Sequence, residues 1–210
     1  MSPPPLPDDL FWRTLSERRS LRQYDGRPVP RPLLERLLTA AVWAPNAHNR
    51  QPWRFAVVTA REWQERLAQA LARRWYADLI ADGYEANAAA RRVARSQQRL
   101  RNAGALVLGC ITMSVMDTYP DARRQSLEWL MAAQSLALAL GQLLLAAHHE
   151  GLAACWMCAP LFAPEIVTSI LDLPVDWEPQ ALISLGYPDP TAKPIPPKNR
   201  LPLHEVVIWR

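Results

Sequence analysis

The longest apolar stretch of the chain, Leu127 to Ala147, constrains the fold more than any other segment. Four polar residues interrupt it: Glu128, Gln134, Ser135 and Gln142. It therefore falls short of the ~18 to 20 nearly unbroken apolar residues that a membrane span needs. We predict instead one long buried helix, from about Arg123 to His149, with Gly151 as the residue just after its end.

Segments with strand and helix patterns alternate on both sides of this stretch. Short apolar or β-branched runs predict strands at about 54–59, 105–111, 153–157, 180–185 and 203–209. Apolar spacing and proline positions predict helices at about 10–18, 30–44 and 164–171, and two more within 62–101 that break near 82–83. A sheet with helices on both sides indicates one layered α/β or α+β domain.

The length of 210 residues fits a single domain. We predict a disordered or extended arm over residues 1–10 and the folded domain over residues 11–210. The N-terminus has no basic segment followed by an apolar one, so it does not resemble a signal peptide. Three cysteines in apolar surroundings (Cys110, Cys155 and Cys158) cannot all pair, which favours a reducing compartment and hence the cytoplasm.

Charge and motif patterns exclude several classes of protein. The net charge is only +4, and the arginines form scattered pairs rather than one block, so we expect no nucleic-acid partner and no membrane partner. The glycines are isolated, which leaves no GxGxxG or P-loop phosphate motif. Neither HExxH nor GxSxG is present, and the histidine spacing predicts no metal site. A small-molecule ligand is the remaining expectation.

The Cys155-Trp156-Met157-Cys158 sequence has the spacing of a redox dithiol or of half a zinc site. No second CxxC completes a zinc site, and Pro160 and Pro164 interrupt the helix that a thioredoxin-like pair would open. We therefore favour two small buried side chains on a strand and the loop that follows it.

Three polar clusters could bind a small anionic ligand. Arg18, Arg19, Ser20 and Arg22 combine guanidinium forks with a hydroxyl, a combination that suits phosphate, although an exposed basic turn has the same pattern. The loop 44–53 offers amide donors and acceptors that could contact a planar heterocycle or simply satisfy the local backbone. Lys198 and Arg200 add cations near the C-terminus.

Taken in order, these motifs resemble the nitroreductase superfamily of FMN-dependent oxidoreductases. The matching segments are RRSxR at 18–22, APNAxNxQPWRF at 44–55, the long apolar helix, GLxxCW at 151–156 and KxRLPL at 198–203. Several stretches, among them 91–95, 119–122, 171–179 and 208–209, are similar to the reductase domain of FbiB, from the biosynthesis of coenzyme F-420. The resemblance implies an α+β, three-layer fold: a central, mostly antiparallel sheet flanked by helices, in an intertwined homodimer.

The resemblance also implies roles for individual residues. Arg18, Arg19, Ser20 and Arg22 would hold the FMN phosphate, with Lys198 and Arg200 completing the cation cluster. Pro45, Asn46 and Ala47 would lie along the isoalloxazine from the partner subunit, and Asn49 and Gln51 would bind the flavin or brace the loop. Ala154, Cys155, Trp156 and Met157 would pass the reactive edge of the flavin. No residue is predicted to be a catalytic acid.

The implied activity is ping-pong hydride transfer from NADPH or NADH through FMN to a conjugated or nitroaromatic acceptor. One alternative is reduction of the dehydro precursor of coenzyme F-420, for which helical arginines such as Arg91, Arg92 and Arg95 would suit a phosphate- and carboxylate-bearing substrate. Two others are a non-enzymatic flavin or deazaflavin binder and a dithiol protein. The motifs do not distinguish between acceptors.

Overall fold

A four-stranded antiparallel sheet in the order β1-β2-β4-β3 forms the centre of the computed structural model, which describes residues 7–193 and 199–210. Its strands are β1 (Trp53–Val58), β2 (Ala105–Ile111), β3 (Ala153–Met157) and β4 (Glu178–Gly186). The inner strand β2 is buried along its whole length, as expected for an apolar run covered on both faces. The predicted antiparallel sheet is confirmed.

Helices cover both faces of the sheet. They are α1 (Leu10–Glu17), α2 (Arg31–Val42), α3 (Arg61–Ala81), α4 (Ala86–Asn102), α5 (Ala122–His149), α6 (Ala159–Phe162), α7 (Pro164–Leu171) and α8 (Leu203–Val206). Alternate residues of β2 enter two different cores: Val107 packs with α2 and α5, whereas Leu106 and Leu108 pack with α3, α4 and α7. Because successive side chains of a strand point to opposite faces of the sheet, helices pack on both faces and give the predicted three-layer α+β architecture.

Helix α5 corresponds to the long apolar stretch. One face packs on the sheet and on α2, and Leu136, Leu140 and Leu143 on that face have no solvent contact or almost none. By length and composition alone α5 would also suit a membrane span, and 39% of its most apolar window is buried. The opposite face leaves Leu138 half exposed. The buried-helix prediction therefore holds for one face of α5 only.

One prediction near the C-terminus is corrected. The predicted strand at 203–209 is wrong: Leu203–Val206 form the short helix α8, and no strand follows. A strand needs a hydrogen-bonded neighbour, and in the described part of the chain the segment has none; Pro202 instead starts a helical turn, with Glu205 N–H donating to its carbonyl at 3.1 Å. At the other end of the chain, helix α1 begins at Leu10, close to the predicted helix at 10–18. Residues 1–6 lie outside the described part, so the arm over residues 1–10 stays a prediction.

Candidate functional site

The basic segment 18–22 lies beside the edge strand β3. Helix α1 ends at Glu17, where the backbone of Arg18 becomes extended, and the Leu21 N–H then donates to the carbonyl of Ala154 at 3.0 Å. Ser20 forms a bridge with the same residue. The structure therefore brings together two predicted groups of site residues, Arg18 to Arg22 and Ala154 to Met157.

Within the described residues, the three arginines of this segment have no carboxylate partner. Arg22 donates only to the carbonyl of Ser20, at 3.1 Å, and no ion pair involves Arg18 or Arg19. Three uncompensated guanidinium groups next to a hydroxyl form a positive cluster at the start of β3. Such a cluster suits the oxygen atoms of a phosphate.

Tyr24 fastens this segment to the sheet. Its hydroxyl lies 2.6 Å from the Ser184 hydroxyl on β4 and donates towards the carbonyl of Leu21 at 3.1 Å. Its ring packs against Gly186, where an added Cβ would approach ring atoms to 3.0 Å. Burial of the ring raises the pKa of Tyr24 well above its usual range. The cluster is thus anchored by a buried, neutral hydroxyl.

The loop before β1 is held in a strained conformation. Asn46 Oδ1 accepts from the Gln51 N–H at 2.8 Å, and the Ala47 N–H donates to Ser135 Oγ on α5 at 3.2 Å. His48, Asn49 and Gln51 have φ of +49°, +53° and +50°, although none is glycine. Each such residue costs on the order of 1 kcal/mol, and strain of this kind concentrates at functional sites. Hydrogen bonds therefore hold this polar loop in one conformation.

This loop and the basic segment do not meet within one chain. β1 and β3 are the two edges of the sheet, three strand spacings or about 14 Å apart. The loop also lies at the end of the sheet where β4 begins, whereas the basic segment lies near the end of β4. That Pro45, Asn46, Ala47, Asn49 and Gln51 contact a flavin from the partner subunit stays a prediction.

The two C-terminal cations are not placed in the cluster. Lys198 lies outside the described residues. Arg200 is exposed, and in the described part of the chain no hydrogen bond or ion pair joins it to residues 18–22. Their role in phosphate binding also stays a prediction.

The motifs did not indicate a cavity of about 390 Å³ between the α3–α4 hairpin and the end of β3. Leu71, Arg74, Trp75, Asp78, Asp82, Ser96, Arg99, Met157, Cys158, Ala159, Phe162 and Ala163 line it. The basic segment pairs with Ala154 at the start of β3 and the cavity begins at Met157 at its end, so three residue steps along the strand, or about 10 Å, separate them.

Arg99 is a candidate site residue that the sequence motifs missed. Its Nε is buried and has no hydrogen-bond partner, the one such side-chain nitrogen or oxygen among the described residues. Its Nη1 reaches only the sulfur of Met157, at 3.5 Å. An unsatisfied buried donor costs roughly 1–3 kcal/mol, which a ligand with an acceptor atom would recover. The composition of α4, five arginines and no acid, is the sequence signal that could have indicated it.

The two cysteines of the CxxC sequence differ in their surroundings. Cys155 is buried on β3, as predicted, but Cys158 is exposed and lines the cavity. Cys158 also caps α6, so the expectation that the prolines prevent a helix here is wrong; Pro160 occupies a position in the first turn, where proline is tolerated. Cys158 Sγ accepts from Trp156 Nε1 at 3.2 Å, and both thiols are free.

Comparisons with known proteins agree with the motifs. The model of the Nitroreductase family matches residues 15–187. A NADH dehydrogenase of Thermus thermophilus is 35% identical over 206 residues, which cover 92% of this chain and 93% of that protein. A 5,6-dimethylbenzimidazole synthase of Rhodospirillum rubrum is 30% identical over 201 residues, covering 88% and 84% of the two chains.

A solved structure shows the same fold. The FMN-dependent nitroreductase NfnB from Mycobacterium smegmatis, in complex with NADPH, superposes with a TM-score of 0.71 at 22% identity and covers 94% of this chain and 96% of that one. Because the family match spans most of the domain and agrees with the motifs at 18–22, 44–55 and 151–156, the chain belongs to the nitroreductase family.

Proposed function

We propose that the protein is an FMN-dependent oxidoreductase that passes hydride from NADPH or NADH to a conjugated or nitroaromatic acceptor in a ping-pong cycle. The observation that carries this proposal is the arrangement along β3. Three uncompensated arginines lie at its start, and a cavity with an unsatisfied Arg99 N–H opens at its end. A ligand with a phosphate at one end and a flat heterocycle at the other matches that arrangement.

The residues present fit FMN. Arg18, Arg19 and Arg22 would bind the phosphate, and the buried Nε of Arg99 would donate to an acceptor atom of the ring. When bound, FMN supplies the two-electron chemistry, and the protein supplies position and electrostatics. Leu71, Met157 and Ala159 give the cavity an apolar wall that excludes water from the ring.

A second copy of the chain would complete the site. The braced loop 45–51 presents polar groups that its own chain does not bring to residues 18–22. In a homodimer, Pro45, Asn46 and Ala47 would reach the flavin of the partner. The family relatives are named for different activities, so their names do not indicate which acceptor this chain reduces. Reduction of the F-420 precursor, like the cytoplasmic location, remains a prediction from the sequence.

Anaerobic titration of the purified protein with NADPH and with NADH tests the proposal. We expect a yellow protein whose flavin absorbance is bleached by at least one nicotinamide and restored by menadione. Flavin that neither nicotinamide reduces would support the binding-protein alternative instead. A dithiol enzyme would lose turnover in Cys158→Ala while keeping its FMN, an outcome that would also contradict the proposal.

A double variant tests whether the basic segment 18–22 binds the FMN phosphate. Replacing both Arg19 and Arg22 with Ala removes two charge-assisted contacts, each worth about 1.5–3 kcal/mol, so FMN affinity should fall at least 100-fold. Arg13→Ala is the matched control, since Arg13 lies on the exposed surface of α1 and pairs with Glu17. Stoichiometric FMN in the purified double variant would refute the assignment.

A further inference from the structure

The outer side of α3 exposes apolar side chains together with arginines. Arg66, Arg73, Tyr76 and Ile80 are spaced so that they fall along one side of the helix, and Tyr76 and Ile80 leave 37% and 41% of their surfaces exposed. Leu71, on the opposite side, packs in the core between α3 and the sheet. A surface helix of a globular domain normally has one apolar side, so a second one indicates a contact with a partner. We call these four exposed residues the outer stripe.

Neither arginine of the outer stripe has a carboxylate partner among the described residues. The guanidinium carbon of Arg66 lies 4.5 Å from the ring centre of Trp63, which is itself exposed, and Arg73 makes no hydrogen bond or ion pair there. The ion pairs of the α3–α4 hairpin are made by Arg74 and Arg101 instead. Two cations with an aromatic ring beside them are therefore available to an anionic partner.

Folding concentrates positive charge in the α3–α4 hairpin. Residues 61–102 contain nine arginines and five acidic residues, so the hairpin carries a net charge of +4, equal to that of the whole chain. The expectation of no membrane partner rests on arginines that are scattered along the sequence, and the fold gathers them in one unit. Three of the acids pair with arginine or cap α4, and two are exposed at the ends of α3: Glu65, Asp78 and Glu85, then Glu62 and Asp82.

A bilayer with anionic lipids matches the outer stripe better than a nucleic acid does. Tyrosine and tryptophan are enriched at the level of the lipid headgroups, and arginine can lay its stem on apolar surface while its guanidinium stays with the phosphates. A helix with this mixture along one side lies flat in the interface, and the stripe is about 21 Å long from Arg66 to Ile80. Phosphates of a nucleic acid would bind the arginines but would leave Ile80 exposed, whereas lipid chains would bury it.

We propose that the outer stripe of α3 docks the protein reversibly on a membrane surface that contains anionic lipids. Arg66 and Arg73 bind lipid phosphates, and Tyr76 and Ile80 enter the boundary between headgroups and acyl chains. The cavity beside β3 contacts α3 from the other side, through Leu71 among others, so docking leaves the cavity free. The proposal therefore goes beyond the reductase activity and does not depend on it.

Co-sedimentation with two kinds of vesicle tests the proposal. We expect the wild type to sediment with vesicles of equal parts phosphatidylcholine and phosphatidylglycerol, less so in high salt, and not with phosphatidylcholine alone. The double variant Arg66→Ala with Arg73→Ala should bind the anionic vesicles about 30-fold more weakly. The control Arg13→Ala with Arg31→Ala loses the same charge from exposed positions on α1 and α2 and should bind like the wild type.

A second double variant tests the apolar half of the stripe. Tyr76→Ser with Ile80→Ser keeps the net charge but should also weaken binding to the anionic vesicles, because it removes the groups that enter the membrane. Equal losses in the stripe variants and in the control would show attraction by net charge alone and would overturn the proposal. Absence of wild-type binding to either vesicle would overturn it as well.

Two further measurements identify a different partner. Binding of a single-stranded RNA oligonucleotide in place of the anionic vesicles, lost in Arg66→Ala with Arg73→Ala, would assign the stripe to nucleic acid. A lower mass of either stripe variant in light scattering would assign it to a contact between copies of the chain. Either result overturns the proposal. Turnover of NADPH and menadione without vesicles should be the same in the stripe variants and the wild type, so failure of the reductase proposal would leave the vesicle result standing.

Discussion

Cys110 lies in the middle of the sheet with no solvent contact, and burial raises the pKa of its thiol to about 12. The ring of Tyr24 is buried against β4, and burial likewise raises its pKa above the usual value. Both groups keep their protons in the folded protein at pH values where the unfolded chain loses them. At the scale of single residues, the sheet and the anchor of the basic segment are therefore sensitive to alkaline pH.

We predict that stability falls as pH rises above about 9, the ordinary value for a thiol. Each buried group that stays protonated only in the folded state lowers the free energy of unfolding by up to about 1.4 kcal/mol per pH unit. Urea unfolding at pH 8, 9, 10 and 11 measures the slope. Cys110→Ala should flatten it, whereas Cys158→Ala, at an exposed thiol, should not. Identical slopes for wild type and Cys110→Ala would contradict the prediction.

At the scale of helices and strands, sequence patterns predicted the elements whose bounds depend on neighbouring residues in the chain. The apolar runs of β2 and β3 and the helix α7 begin and end where the sequence indicated, because turn residues bound each of them. The segment 203–209 has the composition of a strand, yet a strand requires a neighbour, and no short pattern provides that information. For the same reason the motifs predicted the basic segment but not the cavity, which depends on how the α3–α4 hairpin meets β3.

The loop 45–51 shows a second limit of prediction from the sequence. Its left-handed residues are not glycines, so no glycine in the loop indicated the left-handed backbone. We predict that His48→Gly, which removes the strained Cβ, raises the free energy of unfolding by up to about 1 kcal/mol. Ala47→Gly, at a neighbouring position outside the left-handed region, should lower it by about 0.5–1 kcal/mol. Equal losses in the two variants, measured by chemical denaturation, would show that the loop is not strained.

At the scale of the whole molecule, apolar side chains remain on the surface. Leu138 on the outer face of α5 is half exposed, and Trp209 after α8 leaves 86% of its surface uncovered. On α5 the half-exposed Leu127 and Leu130 share the helix face of Leu138, and a contiguous exposed apolar face of this kind marks an interaction site. These side chains support the proposed homodimer, in which a second copy would cover α5 and bring the loop 45–51 to the flavin.

Light scattering after size exclusion tests the dimer. We expect a mass of twice the 23.8 kDa chain. Leu138→Glu should shift the protein towards monomer and lower its FMN content, because the loop of the partner is lost with the interface. Val175→Glu, at a fully exposed loop position, is the control and should leave both unchanged. A monomeric wild type that holds FMN would contradict the proposed site.

The strand order also determines when this protein can fold during synthesis. The inner pair, β2 and β4, is joined through the 66 residues from 112 to 177, and β4 is the last strand in the described ranges 7–193 and 199–210. A ribosome must therefore release nearly the whole domain before the central pairing can form, and pairings of such long sequence separation form slowly. Until then β2, an apolar strand with no polar side, is exposed in the nascent chain. We expect folding to begin after translation is nearly complete and to depend on chaperones that shield this strand.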